Sequence, residues 1–143
     1  MIVVYRPTGR ERMEWYQKTA SQAFSFNDAV YVTSSGFVSP AAAASNVPIL
    51  GLCYRAVKST DTDYAQNTRI PVFIPDKDTV FLADVGAGTV TQEDVDEFVD
   101  SFSASAIDET ASTYQSWHIV DIVSATQALV KLAVKGGAAQ GRT

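Results

Sequence analysis

The stretch AVYVTSSGFVSP, Ala29–Pro40, decides the fold. Val30, Tyr31 and Val32 make one apolar piece, and Phe37 and Val38 make a second. Ser34-Ser35-Gly36 separates them, and Gly36 supplies the positive φ that a tight turn needs. The reading is a β-hairpin that stops at Pro40. Working outward, Pro48 bounds the start of Ile49–Ser59, an apolar run with side chains for both faces of a central strand. Gly51 inside it predicts a bulge or a close backbone approach. Arg69–Pro75 reads as a strand whose Pro71 points to an edge or a bulge. Thr79–Val85 reads as another, ended by Gly86 and Gly88. Ser116–Ser124 and Ala128–Val134 form a closing pair around Ala125-Thr126-Gln127.

One segment changes period. Val95, Phe98, Val99 and Phe102 recur at helical spacing, with Thr91 as N-cap and Asp94 at the capping-box position. This predicts one short helix over 91–102. Met1–Thr19 reads as an N-terminal arm, extended at first and then a short strand within Thr8–Thr19, and 136–143 as a loose tail. Ala41–Val47 reads as a loop with at most one helical turn. The expected organisation is therefore an N-terminal arm (1–19), a domain over 20–135 and a flexible tail (136–143). The expected fold class is mainly β: a small β-barrel or β-sandwich of about seven short strands with one short helix. No internal repeat is visible.

The 143 residues suit one domain, and 46% hydrophobic content suffices for a core. No apolar run approaches the ~20 residues of a membrane span, and the first ten residues lack the pattern of a signal peptide. The expectation is a soluble chain made in the cytoplasm. A net charge of −5 argues against nucleic acid as a partner. Cys53, alone of its kind, excludes an internal disulfide and reads as a buried thiol.

Residues that advertise chemistry are sparse. His118 is the single histidine and lies in a strand pattern, with no nucleophile elbow elsewhere. One Cys and one His make a zinc site improbable. Asp61/Asp63 and Asp76/Asp78 alternate as calcium loops do, but the glycine and glutamate of that motif do not follow. Gly86 and Gly88 precede no Lys-Ser/Thr, so they form no phosphate loop. Neither catalytic residues nor a cofactor nor a metal are expected. Among the aromatics, Tyr5, Trp15, Tyr16, Tyr64 and Tyr114 fall in arm or loop segments, where exposed rings serve as anchors for protein partners.

The order FNDAVYVTSSGFVSPA, ILGLCYRA, RIPVFIP, VFLADVGAGTVTQEDV, WHIVDIVSATQALVKL resembles small head-decoration proteins of tailed bacteriophages, also called capsid cement or stabilising proteins. The resemblance spans Phe24 to Leu132. The segment before Ala20 and the acidic run Thr91–Phe102 depart from it. It implies a β-barrel without catalysis or cofactor, located on the virion's capsid surface and bridging neighbouring major capsid protein subunits, as a homo-oligomer with a trimer favoured. On that footing Ile2, Val3, Val4 and Tyr5 are expected to add a strand to a neighbour's sheet. Arg6, Arg10 and Arg12 are expected to meet acidic capsid surface, with Trp15 and Tyr16 as anchors. The alternatives are another phage structural part, such as a head–tail connector or tail protein, and a carbohydrate-binding β-module using Tyr64 beside Asp61, Asp63 and Asn67.

Overall fold

Alternation of apolar side chains makes strand the dominant element among the described residues. The computed structural model describes residues 1–42, 48–135 and 138–139. Its strands are β1 (Ile2–Arg6), β2 (Arg12–Gln17), β3 (Ala29–Val32), β4 (Val38–Pro40), β5 (Gly51–Cys53), β6 (Arg69–Ile74) and β7 (Val80–Ala87). After a single 3-10 turn at Gln92–Asp94 come β8 (Phe98–Ser103), β9 (Ala106–Asp108), β10 (Trp117–Ser124) and β11 (Gln127–Leu132). A short hairpin follows, β12 (Val134–Lys135) with β13 (Ala138–Ala139). The fold is mainly β, as the sequence predicts. Among the described residues no helix is long and apolar enough to cross a membrane.

The strands form two closed units. In the first, the order is β2-β6-β5-β3-β4, all antiparallel, and a parallel bridge from Lys18 to Val38 joins the last strand to the first. In the second, the order is β7-β11-β10-β8-β9, again antiparallel, and a parallel pairing of β9 with β7 closes the ring. Matching β2 to β7, β3 to β8, β4 to β9, β5 to β10 and β6 to β11 makes the two connectivities identical. The chain is a tandem of two five-stranded barrels, called here barrel 1 and barrel 2. β1 lies outside this repeat and pairs antiparallel with the first half of β7.

Period-two patterning explains the packing. In barrel 1, Val30, Val38, Cys53, Ile70, Val72 and Ile74 point inward, with Phe24 and Val57 plugging the interior. In barrel 2 the interior holds Phe81, Val99, Ile107, Trp117, Ile119, Val130 and Leu132. The Phe81 and Trp117 rings meet edge to face at 5.9 Å, and the buried Trp117 Nε1–H donates to Ser101 Oγ at 3.0 Å. Ala29, Ala41, Ile49 and Leu52, from the outer side of barrel 1, join this second cluster. The barrels thus share a hydrophobic junction. Polar contacts add to it: Ala29 N–H donates to the Ala104 carbonyl at 2.7 Å, and the Thr79 hydroxyl donates to Glu11.

Several expectations are corrected. The hairpin Ala29–Pro40 forms as read, with Gly36 at φ +89°. The central strand at Ile49–Ser59 shrinks to Gly51–Cys53. Gly51 is required there because a Cβ would sit 2.0 Å from the Phe73 carbonyl oxygen. Pro71 lies in β6, which is internal rather than an edge. It is tolerated because its backbone faces β5 just where β5 ends, and its carbonyl still accepts Tyr54 N–H at 2.9 Å.

The helix over 91–102 does not form. Thr91 and Asp94 do pair, through Thr91 N–H and Asp94 Oδ2 at 2.7 Å, but they close one turn only. Val95 is extended and Asp96 takes φ +78°. From Phe98 on, the chain joins β10 as a strand. Val, Ser, Asp and Phe are weak helix formers, and a helix this short needs tertiary support; a waiting strand edge and the need to bury Val99 and Ser101 prevail.

Met1–Thr19 is not a free arm. Ile2 is fully buried, Val4 packs on the same cluster, and the N-terminal ammonium pairs with Asp84 at 2.5 Å. Thr8–Glu11 is a turn tied by Glu11 to Thr8 and Gly9 N–H, and β2 follows as part of barrel 1. The predicted loop Ala41–Val47 lies outside the described residues beyond Ala42, and so does the predicted tail 136–143 apart from Ala138–Ala139.

Candidate partner-binding surface

The register of barrel 1 sets one row of side chains across its outer face. Met13 on β2 lies beside Phe73 on β6, which lies beside Leu52 on β5 and then Ala29 on β3. Leu52 and Ala29 are buried against barrel 2. The other half of the row stays open. Trp15 and Pro71 form the next row. Phe26 stacks on Tyr54 at 4.8 Å, and Tyr54 stacks on Phe73 at 5.3 Å. Trp15 is 59% exposed, Phe26 55% and Met13 44%. The result is an apolar, aromatic-rich face continuous with the junction but left uncovered.

The loop that presents Phe26 is held rigidly. Asn27 adopts φ +72° and donates its N–H to the Cys53 carbonyl at 2.7 Å. Asp28 Oδ2 accepts Ser25 N–H at 2.8 Å, and burial raises the pKa of this carboxyl. A ring held this way loses little freedom on binding, which favours it as an anchor.

The sequence-predicted residues divide. Ile2 belongs to the core, and Val3 and Val4 are half-buried, with β1 paired to β7 of its own chain. Tyr5 and Arg6 are exposed, the guanidinium lying 6.0 Å from the Tyr5 ring centre. Arg10 bonds Asp76 at 2.9 Å, and Arg12 bonds Glu14 at 2.8 Å, so both charges already have partners. Trp15 points out of barrel 1 and Tyr16 packs into it. Of the predicted anchors, Trp15 therefore sits on the aromatic face, Tyr16 does not, and β1 lies on the other barrel. Met13, Phe26, Tyr54 and Phe73 went unpredicted as a group. Each is an ordinary strand or loop residue in sequence, and only the order β2-β6-β5 brings them together.

Other candidates are engaged in the fold. Asp63 takes a bidentate pair from Arg55, both bonds 2.8 Å, which with the Thr68 hydroxyl holds its carboxyl well below the usual range. Asp61 accepts Lys58 N–H at 3.0 Å, and Asn67 Nδ2 donates to the Lys18 carbonyl at 2.8 Å. Tyr64 packs on the interior of barrel 1. The loop proposed for glycan binding is thus a structural tie. Lys18 is fully buried, its ammonium donates to the Tyr64 and Gln66 carbonyls, and burial lowers its pKa. Asp76 is held at about 2, chiefly by Arg10. Cys53 is buried and its thiol is pushed up to about 11 by burial, which leaves it unreactive at neutral pH.

On barrel 2, Phe98, His118 and Lys131 form an outer row. His118 stacks on Phe98 at 4.4 Å and its Nε2 lies 2.6 Å from Asp96 Oδ1. A shallow groove of about 320 Å³ runs past them, lined also by Lys77, Asp78 and Leu132. His118 has a carboxylate partner, but the lining contains no serine, threonine or cysteine to act as nucleophile. Asp94, Glu97 and Glu109 bring carboxylate oxygens within 4.8 Å of one another. Among the described residues these are the ones that could share a hard cation; burial first, then repulsion from Asp94 and Glu97, raises the pKa of Glu109.

No protein-family model matches this chain, and no curated protein matches its sequence.

Proposed function

We propose that the chain is a structural protein of a tailed-bacteriophage particle, binding the outside of the icosahedral capsid and cementing neighbouring major capsid protein subunits. The observation that carries this reading is the uncovered aromatic face of barrel 1, with Met13, Trp15 and Phe26 exposed beside Tyr54 and Phe73. Large, rigid, half-desolvated rings are the usual anchors of protein–protein contacts. The segments that carry the resemblance to decoration proteins fall on β3–β4, β5, β6, β7 and the β10–β11 hairpin, so they are framework strands rather than scattered loops. The role needs no chemistry from the protein. Each copy that binds the assembled shell more tightly than free subunits shifts the equilibrium toward the shell, and repetition over a symmetric lattice multiplies weak contacts. On the shell the chain acts as a homo-oligomer, a trimer being favoured by the resemblance.

The test is addition of purified protein to shells stripped of it, with bound copies counted and the heat resistance of the shell recorded. Saturable binding at a fixed ratio to the major capsid protein, with a raised disruption temperature, supports the reading. Binding at one vertex only supports a connector instead, and no binding rejects both.

A further inference from the structure

The two barrels repeat one another strand for strand, and the repeat is incomplete in one place. In barrel 2, the outer edge of β7 is covered twice: β9 lies along Asp84–Ala87 and β1 along Val80–Ala83. In barrel 1, β2 holds the position of β7. Its C-terminal end meets β4 through the Lys18–Val38 bridge. Along the rest of that edge no strand lies among the described residues.

The directions of the backbone groups follow from the register. Lys18 N–H donates to the Thr68 carbonyl at 2.9 Å and so faces the β6 side. Alternation then turns Tyr16, Glu14 and Arg12 toward β6 and turns Met13 and Trp15 away from it. The Trp15 carbonyl accepts one long bond, 3.4 Å, from the Arg69 guanidinium. In barrel 2 the same direction is filled: Asp84 N–H donates to the Met1 carbonyl at 3.0 Å, and Leu82 pairs with Val3. An open edge flanked by two large exposed apolar side chains is a template for strand addition, which soluble proteins ordinarily blunt. Charge blunting is weak at this one, because Arg12 and Glu14 neutralise each other.

We propose that the open edge of β2 receives an extended segment of a partner protein, laid antiparallel to β2 in the place that β1 takes on β7. β1, with the sequence IVVYR, is the pattern for the occupant: a short segment of β-branched and aromatic residues, not the edge of another barrel. Its main chain bonds Met13 and Trp15, and its apolar side chains extend the row formed by Met13 and Phe73. This assignment rests on the repeat and not on the capsid reading.

The probe is a synthetic peptide of the sequence Met1–Pro7, capped at both ends, titrated to millimolar concentration into the full chain and followed by NMR. The expected result alternates along β2. The amides of Met13 and Trp15 shift and their solvent exchange slows by about tenfold or more, while Glu14 and Tyr16, already bonded to β6, do not change. In Trp15→Pro the edge donor is lost but the ladder to β6 is kept, so the melting transition persists and the peptide effect disappears. Three results overturn the proposal: no change at Met13 and Trp15 at millimolar peptide, an equal response in Trp15→Pro, or protection of Met13 and Trp15 that rises with protein concentration alone. The last assigns the edge to a second copy.

Discussion

Barrel 1 and barrel 2 share a connectivity and differ in how they are finished. Barrel 2 is filled by Trp117 and Phe81, has strands of up to eight residues in β7 and β10, and has β1 laid over its leading strand. Barrel 1 is filled mainly by Val and Ile, closes through one bridge beside a buried lysine, and has a β5 of three residues. Among the described residues barrel 2 is thereby the more fully paired, and barrel 1 keeps an open edge and an open aromatic face. A fold repeated twice shows, in its better-covered copy, what the barer copy lacks.

The largest effects should come from breaking the shared core. Trp117→Ala removes the biggest buried side chain and its bond to Ser101, and should cost about 3–5 kcal/mol in urea unfolding. Because barrel 1 packs Leu52 and Ile49 into the same cluster, amide protection should fall in both barrels. Ile70→Ala, wholly inside barrel 1, should cost about 2–5 kcal/mol, with protection lost first in barrel 1. Equal loss in both barrels for Ile70→Ala would make the two halves one cooperative unit.

Backbone exceptions come next. Gly51→Ala drives a methyl into the Phe73 carbonyl and should destabilise by about 1–3 kcal/mol, whereas Gly36→Ala, in open space but at positive φ, should cost about 1–2 kcal/mol. Asp100→Ala should be comparable at about 1–3 kcal/mol. Its buried carboxylate accepts the N–H groups of Thr113, Tyr114 and Gln115 at 3.1, 2.7 and 2.7 Å, and the variant loses all three bonds. Thermal melts of the three variants order them.

The junction between the barrels should be sensitive to acid. Burial alone would raise the Glu11 pKa, but the Thr79 hydroxyl and the N–H groups of Thr8 and Gly9 outweigh it and hold the carboxyl at about 2. A carboxyl depressed in the folded state binds its proton more readily when unfolded. The stability it lends is therefore complete above its ordinary value of 4.5 and is lost as pH falls from there through about 2. Glu11→Gln should be less stable at neutral pH, and its melting temperature should fall less between pH 5 and pH 2, roughly the window set by the two values. At the small end, Trp15→Ala should change stability by no more than about 0.5 kcal/mol, as expected for an exposed side chain, while reducing the protein's occupancy on shells.

Much of this fold was legible in the sequence because strands declare themselves locally. The Ser34-Ser35-Gly36 turn and the β10–β11 hairpin follow from neighbours in the chain, and Gly51 inside an apolar run signals a close backbone approach, although the group that approaches, the Phe73 carbonyl, shows only in the fold. The repeat did not show, because strand order is set by contacts far apart in sequence and the equivalent strands differ in residue and length. β8 reads as a helix because Val95, Phe98, Val99 and Phe102 satisfy the helical period by coincidence; in the strand, Val99 points inward while Phe98 and Phe102 point out. β1 looked like an arm because an apolar strand at a terminus reads the same whether its partner is in its own chain or another. Trp15 was found from its type and place, and its neighbours Phe26, Tyr54 and Phe73 waited on the sheet register.

The contrast between the two leading strands is tested most directly by hydrogen exchange on the isolated, dilute protein. Leu82 and Asp84, whose outward amides face β1, should exchange slowly, and Met13 and Trp15, at the matching place on β2, should exchange faster by about a hundredfold or more. Equal protection at all four amides would mean that β2 is already covered, and the open edge from which the docking surface is argued would not exist.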